Sequence, residues 1–465
     1  MHENNNSNQS THLFNRRDFV KLSTATMGAA FVGMQLAGCA STNRKIGAAP
    51  EHPFVSKPLE KVRIGYVGVG GMGSAHVRNL LKIDKAEIKA VCDIVPEKVE
   101  RIQQWTMEAG QSKPTGYSRG NYDFIRMCET EELDLVYTAT PWEWHVPVCL
   151  AAMKNGKHAA TEVPAALTID ECWQLVETAE KLKKHCLMME NCCYDRPELL
   201  ILNLVRKGLL GEIIHGECGY LHDLRALKFS SEGEGLWRIA HSIKRNANLY
   251  PTHGLGPVAQ CMNINRGDLF DYLVSMSSPS RGLNLFAAEN FGADDPRARQ
   301  KYALGDVNIS LIKTKNGKTI TVWHECDTPR PYSRNILVQG TKGLARRWPE
   351  EVYIEGRSQP HHWDKMEDCY QEFEHPLWKK LNQAAAGAGH GGMDFIEDYR
   401  LIQCLLEGTA TDFDVYDAAA WSVVTELSER SVANRSKPID FPDFTRGKWK
   451  TNKPVGIIAE GEVSG

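Results

Sequence analysis

An excess of charge of one sign is the first thing this chain lacks. Against 55 Lys and Arg stand 58 Asp and Glu, a formal net charge of −3 over 465 residues. That balance argues against nucleic acid as a partner. Long apolar runs are also missing, since no stretch of roughly 18 uncharged apolar residues is available to span a bilayer. The 13 cysteines include a vicinal pair, Cys192-Cys193, but the count is odd and no metal-ligand spacing repeats. Buried free thiols are expected, with no zinc site and no disulfide framework. The length suits two or three domains with a large core.

What is present is organised around Ile64–Asp93. The β-branched run Val62–Val69 reads as a buried strand. It passes into Gly68-Val69-Gly70-Gly71-Met72-Gly73, a G-x-G-x-x-G pattern, and then into a helical pattern through Leu80 and Leu81. A second strand, Glu87–Cys92, ends on Asp93, twenty residues beyond Gly73. In a dinucleotide site Gly68 would make the tight turn and Gly70 would admit a pyrophosphate against the backbone. Gly73 would let helix and strand pack closely, and the helix N-terminus would supply N–H donors. A glycine-rich surface turn is the plain alternative, and the strand–glycine–helix–strand–acid order weighs against it. Asp93 would accept from ribose hydroxyls and repel a 2′-phosphate, which favours NAD over NADP.

Strands and helices go on alternating after Asp93. Pro96–Ala109 reads as a helix, Leu133–Thr138 as a buried strand, Lys157–Thr161 and Cys186–Glu190 as further strands, and Thr168–Lys184 as a helix. This pattern predicts a parallel, doubly wound Rossmann sheet over 59–191, with ligands beyond the carboxyl ends of the strands. Trp142-Glu143-Trp144-His145, Glu162-Val163 and Asn191 fall at those ends. Two Trp with Glu and His on one turn suggest a cofactor wall, although a single Trp there would read as core filling.

Residues 1–38 resemble an export signal and are set aside from the fold. Asn15-Arg16-Arg17-Asp18-Phe19-Val20-Lys21 is similar to the twin-arginine pattern, and the apolar Leu22–Leu36 follows it. Leu36-Ala37-Gly38-Cys39 looks like a lipoprotein box, with Cys39 as the lipidated first residue and membrane anchor. Residues 39–58 read as a tether. The expected location is the periplasm or cell surface. A dinucleotide enzyme exported there must carry its cofactor along, which suits a cofactor restored in every turnover.

The second domain, 192–440, reads as α+β, with an open, mostly antiparallel sheet. Strands are expected from Gly211 through Tyr220 and at Val307–Thr314, Lys318–His324 and Asn335–Gln339. Helices are expected at Glu198–Lys207, Asp394–Leu406 and Val415–Val432. Residues 441–465 read as a tail strapped over the surface. Between the first strands lies a polar-aromatic series, Tyr220, His222, Asp223, Arg225, Trp237, Arg238 and His241. Asn248-Leu249-Tyr250-Pro251-Thr252-His253-Gly254-Leu255-Gly256-Pro257 follows it, before a helix expected at Val258–Asn263. There His253 sits where the helix dipole favours a neutral imidazole, suited to accepting a proton. A hydrogen-bonded structural histidine is the plain alternative.

The strand–TPxxxH–helix–strand–E-x-P series is similar to the glucose-fructose oxidoreductase and inositol dehydrogenase superfamily. Its usual Glu-Lys-Pro is Glu162-Val163-Pro164 here. Without that lysine, simple alcohol dehydrogenation is not the expected reaction. The signal, GVGGMG, TPWEWH, EVP, YPTHGLGP and Pro329-Arg330-Pro331-Tyr332-Ser333 together resemble glycoside hydrolase family 109, the NAD-dependent α-N-acetylgalactosaminidases. The resemblance implies that Gly71, Met72, Asp93, Trp142–His145, Glu162, Val163 and Asn191 hold NAD. It implies that Tyr220, Arg238, Tyr250, Pro251, Thr252, His253 and Tyr332 hold the sugar. The implied reaction oxidises the sugar at C3, eliminates across C1–C2, adds water and reduces. His253 would accept the hydroxyl proton and Tyr332 would remove the C2 proton. Pairing of copies through the open sheet face is also implied. An exported sugar oxidoreductase, a sugar-binding lipoprotein and a glycosidase of other specificity stay open as alternatives.

Overall fold

Short buried strands alternating with amphipathic helices build the first half of the chain. The computed structural model describes residues 54–454 and 456–458, so the expected export signal and Cys39 lie outside the described residues. In chain order the half comprises β1 (Val62–Val67), α1 (Gly71–Leu80), β2 (Ala86–Cys92), α2 (Pro96–Glu108), β3 (Thr115–Tyr117) and α3 (Asp123–Thr130). It continues with β4 (Leu135–Thr138), α4 (His145–Lys154), β5 (His158–Thr161), α5 (Ile169–Leu182) and β6 (Cys186–Met188). The strands form one parallel sheet in the order β3-β2-β1-β4-β5-β6. Every residue of β4, β5 and β6 is buried, as expected where helices cover both faces. Local signals agree with this. Pro96 opens α2, and Thr168 with Glu171 forms a capping box on α5.

The second half begins with α6 (Arg196–Arg206), β7 (Ile213–Leu221), α7 (Gly235–Lys244) and α8 (Thr252–Cys261). Its sheet adds β8 (Phe270–Ser277), β9 (Val307–Thr314), β10 (Thr319–Glu325), β11 (Leu337–Gly340), β12 (Gly343–Arg346), β13 (Glu351–Ile354) and β14 (Asp364–Lys365). Helices α9 (Met393–Glu407), α10 (Val415–Ser422) and α11 (Val424–Ala433) precede β15 (Ile439–Asp440). The nine strands run β14-β13-β12-β11-β7-β10-β9-β8-β15, with β7 and β10 parallel and the other pairs antiparallel. One face is covered by helices, and the open face exposes Met276 and Leu311.

The main departure from expectation is α8, which starts at Thr252 and takes in the whole glycine-rich stretch. A side chain on Gly254 would meet the Gly219 backbone nitrogen at 2.4 Å. Glycine here lets the helix lie against β7, so it is a packing residue rather than a breaker. His253 therefore stands in the first turn of α8. Helix α7 and strands β8 and β12–β15 also go beyond the expectation. The described part of the tail leaves β15 and ties down on α5, where Lys448 pairs with Glu180 at 3.1 Å.

Candidate active site

The cofactor half of the site lies where the strand order reverses, between the carboxyl ends of β1 and β4. Gly68 has φ +81°, and a Cβ there would meet the Ala139 carbonyl oxygen at 2.8 Å. At Gly70 and Gly71 a Cβ would meet nothing within 4 Å. No side chain caps α1, which leaves its first N–H groups for an anion. Beside this turn is a cavity of about 180 Å³ lined by Asp93, Phe124, Thr140 and Trp144. Asp93 braces the turn by accepting from the Val69 and Val95 N–H groups at 2.9 and 3.0 Å. Arg101 donates to the Val69 carbonyl oxygen and to Ser74 Oγ. Open backbone, uncapped helix and acidic edge fit the pyrophosphate and ribose of NAD.

The structure separates the four residues Trp142–His145. Trp144 lines the cavity, and Glu143 is exposed. Trp142 is buried, stacked on Tyr250 at 5.6 Å and edge-on to Trp237. His145 is wholly buried, with Nδ1 2.7 Å from the Pro164 carbonyl oxygen and Nε2 2.9 Å from that of Thr140. Both are placed in the interior and reach neither cavity. Glu162, just past β5, lies 2.7 Å from His76 Nε2, and Val163 is buried beside it.

A second cavity, about 340 Å³, is lined by Asn191, Tyr220, His222, His253, Tyr332 and His390, among others. Sequence reasoning named Asn191, Tyr220, His253 and Tyr332 as site residues, and the fold brings them together. Tyr250 packs edge-on to His253 at 4.8 Å, and Pro251 and Thr252 set the start of α8. Arg238 lies behind the cavity, its guanidinium 5.0 Å from Trp142 and 5.1 Å from Tyr250, paired with Glu234 at 2.6 Å.

Two imidazole–carboxylate pairs serve this cavity. His253 Nδ1 is 2.7 Å from Glu190, which is wholly buried just beyond β6. Burial works to raise the Glu190 carboxyl, but His253 outweighs it and holds it below the usual carboxylate range. His390 stands on the glycine-rich loop before α9, with φ +49°, and its Nδ1 is 2.7 Å from Asp394. That hydrogen bond raises the His390 imidazole above its ordinary value, against burial. Asn191 donates to the other Asp394 oxygen at 2.7 Å. Tyr332 accepts from Arg334 at 3.2 Å, and Tyr220 hydrogen-bonds His222 at 3.0 Å. Burial raises both phenols well above the ordinary tyrosine value.

Glu190, His390 and Asp394 escaped the sequence reading. For the pair on the loop a signal was available: a histidine among glycines, Gly389-His390-Gly391-Gly392, with an acid four residues on. Among the described residues, Asp195 is the one carboxylate lining this cavity, and Arg334 and Arg347 both hold it at 2.5 Å. The twelve described cysteines are all unpaired, and all but Cys369 are buried, as expected.

A parallel dinucleotide-binding sheet joined to an open-sheet domain, with histidine pairs in the cleft, defines an NAD-binding protein built on an oxidoreductase fold. Residues 62–190 match the oxidoreductase family, NAD-binding Rossmann fold, and residues 194–451 match the C-terminal domain of glycosyl hydrolase 109. The chain belongs to glycosyl hydrolase family 109, and it is an NAD-dependent glycoside hydrolase. It is 48% identical over 453 residues to a glycosyl hydrolase family 109 protein of Shewanella pealeana, covering 96% of this chain and 99% of that one. It is 45% identical over 460 residues to the α-N-acetylgalactosaminidase of Shewanella oneidensis, with the same coverage. Solved structures of the same fold include an NAD-binding oxidoreductase from Klebsiella pneumoniae, with TM-score 0.64 and 16% identity over 82% of this chain and 99% of that one. Levoglucosan dehydrogenase with NADH and L-sorbose gives TM-score 0.62 and 18% identity, over 83% of this chain and all of that one.

Proposed function

We propose that this glycosidase releases terminal α-linked N-acetylgalactosamine with net retention, through oxidation, elimination, addition and reduction. The observation that carries this reading is the lack of a free carboxylate pair around the sugar cavity among the described residues. Direct displacement and its retaining variant both need one. Two histidines, each backed by a buried acid, occupy the cavity instead. The specificity is supported by the α-N-acetylgalactosaminidase relative from Shewanella oneidensis.

NAD, when bound, supplies reversible hydride acceptance at C3 of the sugar. His253 accepts the C3 hydroxyl proton at Nε2, since Glu190 holds Nδ1 and fixes the ring. A ketone at C3 acidifies the C2 hydrogen. Tyr332 takes that proton as the phenolate, a form that burial opposes and that Arg334, donating to its oxygen, stabilises. His390, whose proton Asp394 helps to hold, protonates the departing C1 oxygen and later deprotonates the incoming water. Turnover in deuterated water tests the scheme. Deuterium should appear at C2 of the released sugar while C3 keeps its hydrogen. Product with ordinary hydrogen at C2, formed at the full rate, rules elimination out.

We also propose export by the twin-arginine route and anchoring through lipidated Cys39, supported by the order of arginine pair, apolar stretch and small-residue box. Cys39→Ala should leave the enzyme exported but soluble. Recovery of that variant in the membrane pellet after a high-salt wash counts against the anchor.

A further inference from the structure

Behind the cofactor cleft lies a chain of ionisable groups that the reaction scheme does not use. His76, on the second turn of α1, is 1% exposed and has a carboxylate at each ring nitrogen. Nδ1 lies 2.9 Å from both oxygens of Asp398 on α9, and Nε2 lies 2.7 Å from Glu162. An imidazole between two acceptors must donate from both nitrogens to satisfy them, which makes the ring the positive centre of the chain. Asn79 donates to Asp398 at 3.0 Å, and the Tyr137 hydroxyl lies 3.1 Å from Nδ1. Asp398 is wholly buried, whereas the Glu162 side chain keeps 15% of its surface. Glu162 is thus the less buried end of the chain, and it stands just past the carboxyl end of β5, the side of the sheet where ligands bind. Its charge is felt by Tyr250 and by His390, beside and within the sugar cavity.

We propose that His76 is a positioning residue that aims the Glu162 carboxylate into the cleft, and that this anion biases the site toward the oxidised dinucleotide. The physical reason is charge. The oxidised nicotinamide ring is a cation and the reduced ring is neutral, so a fixed anion favours the first over the second. Asp398 acts through His76 by fixing the ring's orientation. Because α9 carries both Asp394 and Asp398, one helix orients the His390 acid and, through His76, the cofactor's carboxylate.

Two variants divide the chain at its centre. On a helix, an Asn amide stands near the Nδ1 position of His, and a Gln amide near Nε2. His76→Asn keeps a donor for Asp398 and loses Glu162, whereas His76→Gln keeps Glu162 and loses Asp398. Purified holoenzyme is loaded with radiolabelled NAD⁺, and the label is displaced with unlabelled NAD⁺ or NADH. The readout is the preference for the oxidised form. His76→Asn should lose about tenfold of that preference, the effect of one charge-assisted hydrogen bond. His76→Gln should stay within about twofold of the native protein, since the Glu162 contact survives. Glu162→Gln, which changes almost no volume, sets the full loss, and His76→Asn should add nothing in that background. Thermal melts run alongside report stability separately. Equal loss of preference in the Asn and Gln variants overturns the proposal. So does lower stability with the native preference kept, or an unchanged preference in Glu162→Gln, which tests the idea even if neither His76 variant folds.

Discussion

Replacing Glu190 with Gln puts the oxidation step on trial. The native carboxylate is wholly buried and 2.7 Å from His253 Nδ1. Its Oε1 also accepts from the Cys192 N–H at 3.2 Å. When His253 takes the sugar's hydroxyl proton, an imidazolium forms directly against this anion. At an effective dielectric of about 20, two unit charges about 4 Å apart attract by roughly 4 kcal/mol. Mutational values for hydrogen bonds to charged groups are lower, about 1.5–3 kcal/mol. Gln preserves the shape and a neutral hydrogen bond, so the loss falls on the charge term. Glu190→Gln should slow oxidation by about 10- to 1,000-fold, at 1.36 kcal/mol per decade. The assay is rapid mixing of holoenzyme with substrate while following absorbance of the reduced nicotinamide. A C3-deuterated substrate shows whether hydride transfer limits that phase. Reduced cofactor appearing at the native rate refutes the assignment of His253 as proton acceptor.

Asp394→Asn should move the alkaline limb of kcat/KM to lower pH. Asp394 is the main reason His390 titrates above its ordinary value of 6.5, and a raised imidazole keeps its proton until pH climbs through the raised value. The donor form then vanishes earlier in the variant, and a pH–rate profile with an unmoved alkaline limb counts against His390 as the acid. Asp93→Ala should weaken cofactor retention by tenfold or more, since it removes a charged acceptor worth about 1.5–3 kcal/mol as well as the brace on the glycine turn. Denaturing extraction of dinucleotide from purified protein checks this, and native stoichiometry in the variant contradicts it.

Five strands of the parallel sheet could be read from sequence because they are short, largely apolar runs closed by a turn residue, whereas the edge strand β3, Thr-Gly-Tyr with two residues exposed, carries no such signal. Both faces are covered, so burial alone dictates composition. The glycine turn was equally legible, as local geometry dictates Gly68 and Gly73. Helix α8 was hidden because Gly254 and Pro257 look like breakers. Only the Gly219 backbone lying against the helix shows why glycine is needed there. Adjacency also says nothing of how the side chains of Trp142–His145 divide. One short turn points Trp144 at the cavity, while Trp142 and His145 point inward, and sequence carries no such directions. Glu190 was invisible for another reason. Its partner lies 63 residues away, and a buried acid after a strand looks like any other until α8 is laid across it.

The cysteines bear on how such a chain is delivered. Twelve unpaired thiols sit in the described residues, eleven of them shut inside the two domains. A chain passed unfolded into an oxidising compartment would offer all of them at once to exchange and mispairing. A chain that completes its core in a reducing compartment offers, among the described residues, the half-buried Cys369 alone. If the chain is exported as proposed, burial stands in for a redox guard, and it works only when folding comes before crossing. A carrier that accepts finished proteins meets that condition and also lets the cofactor travel inside.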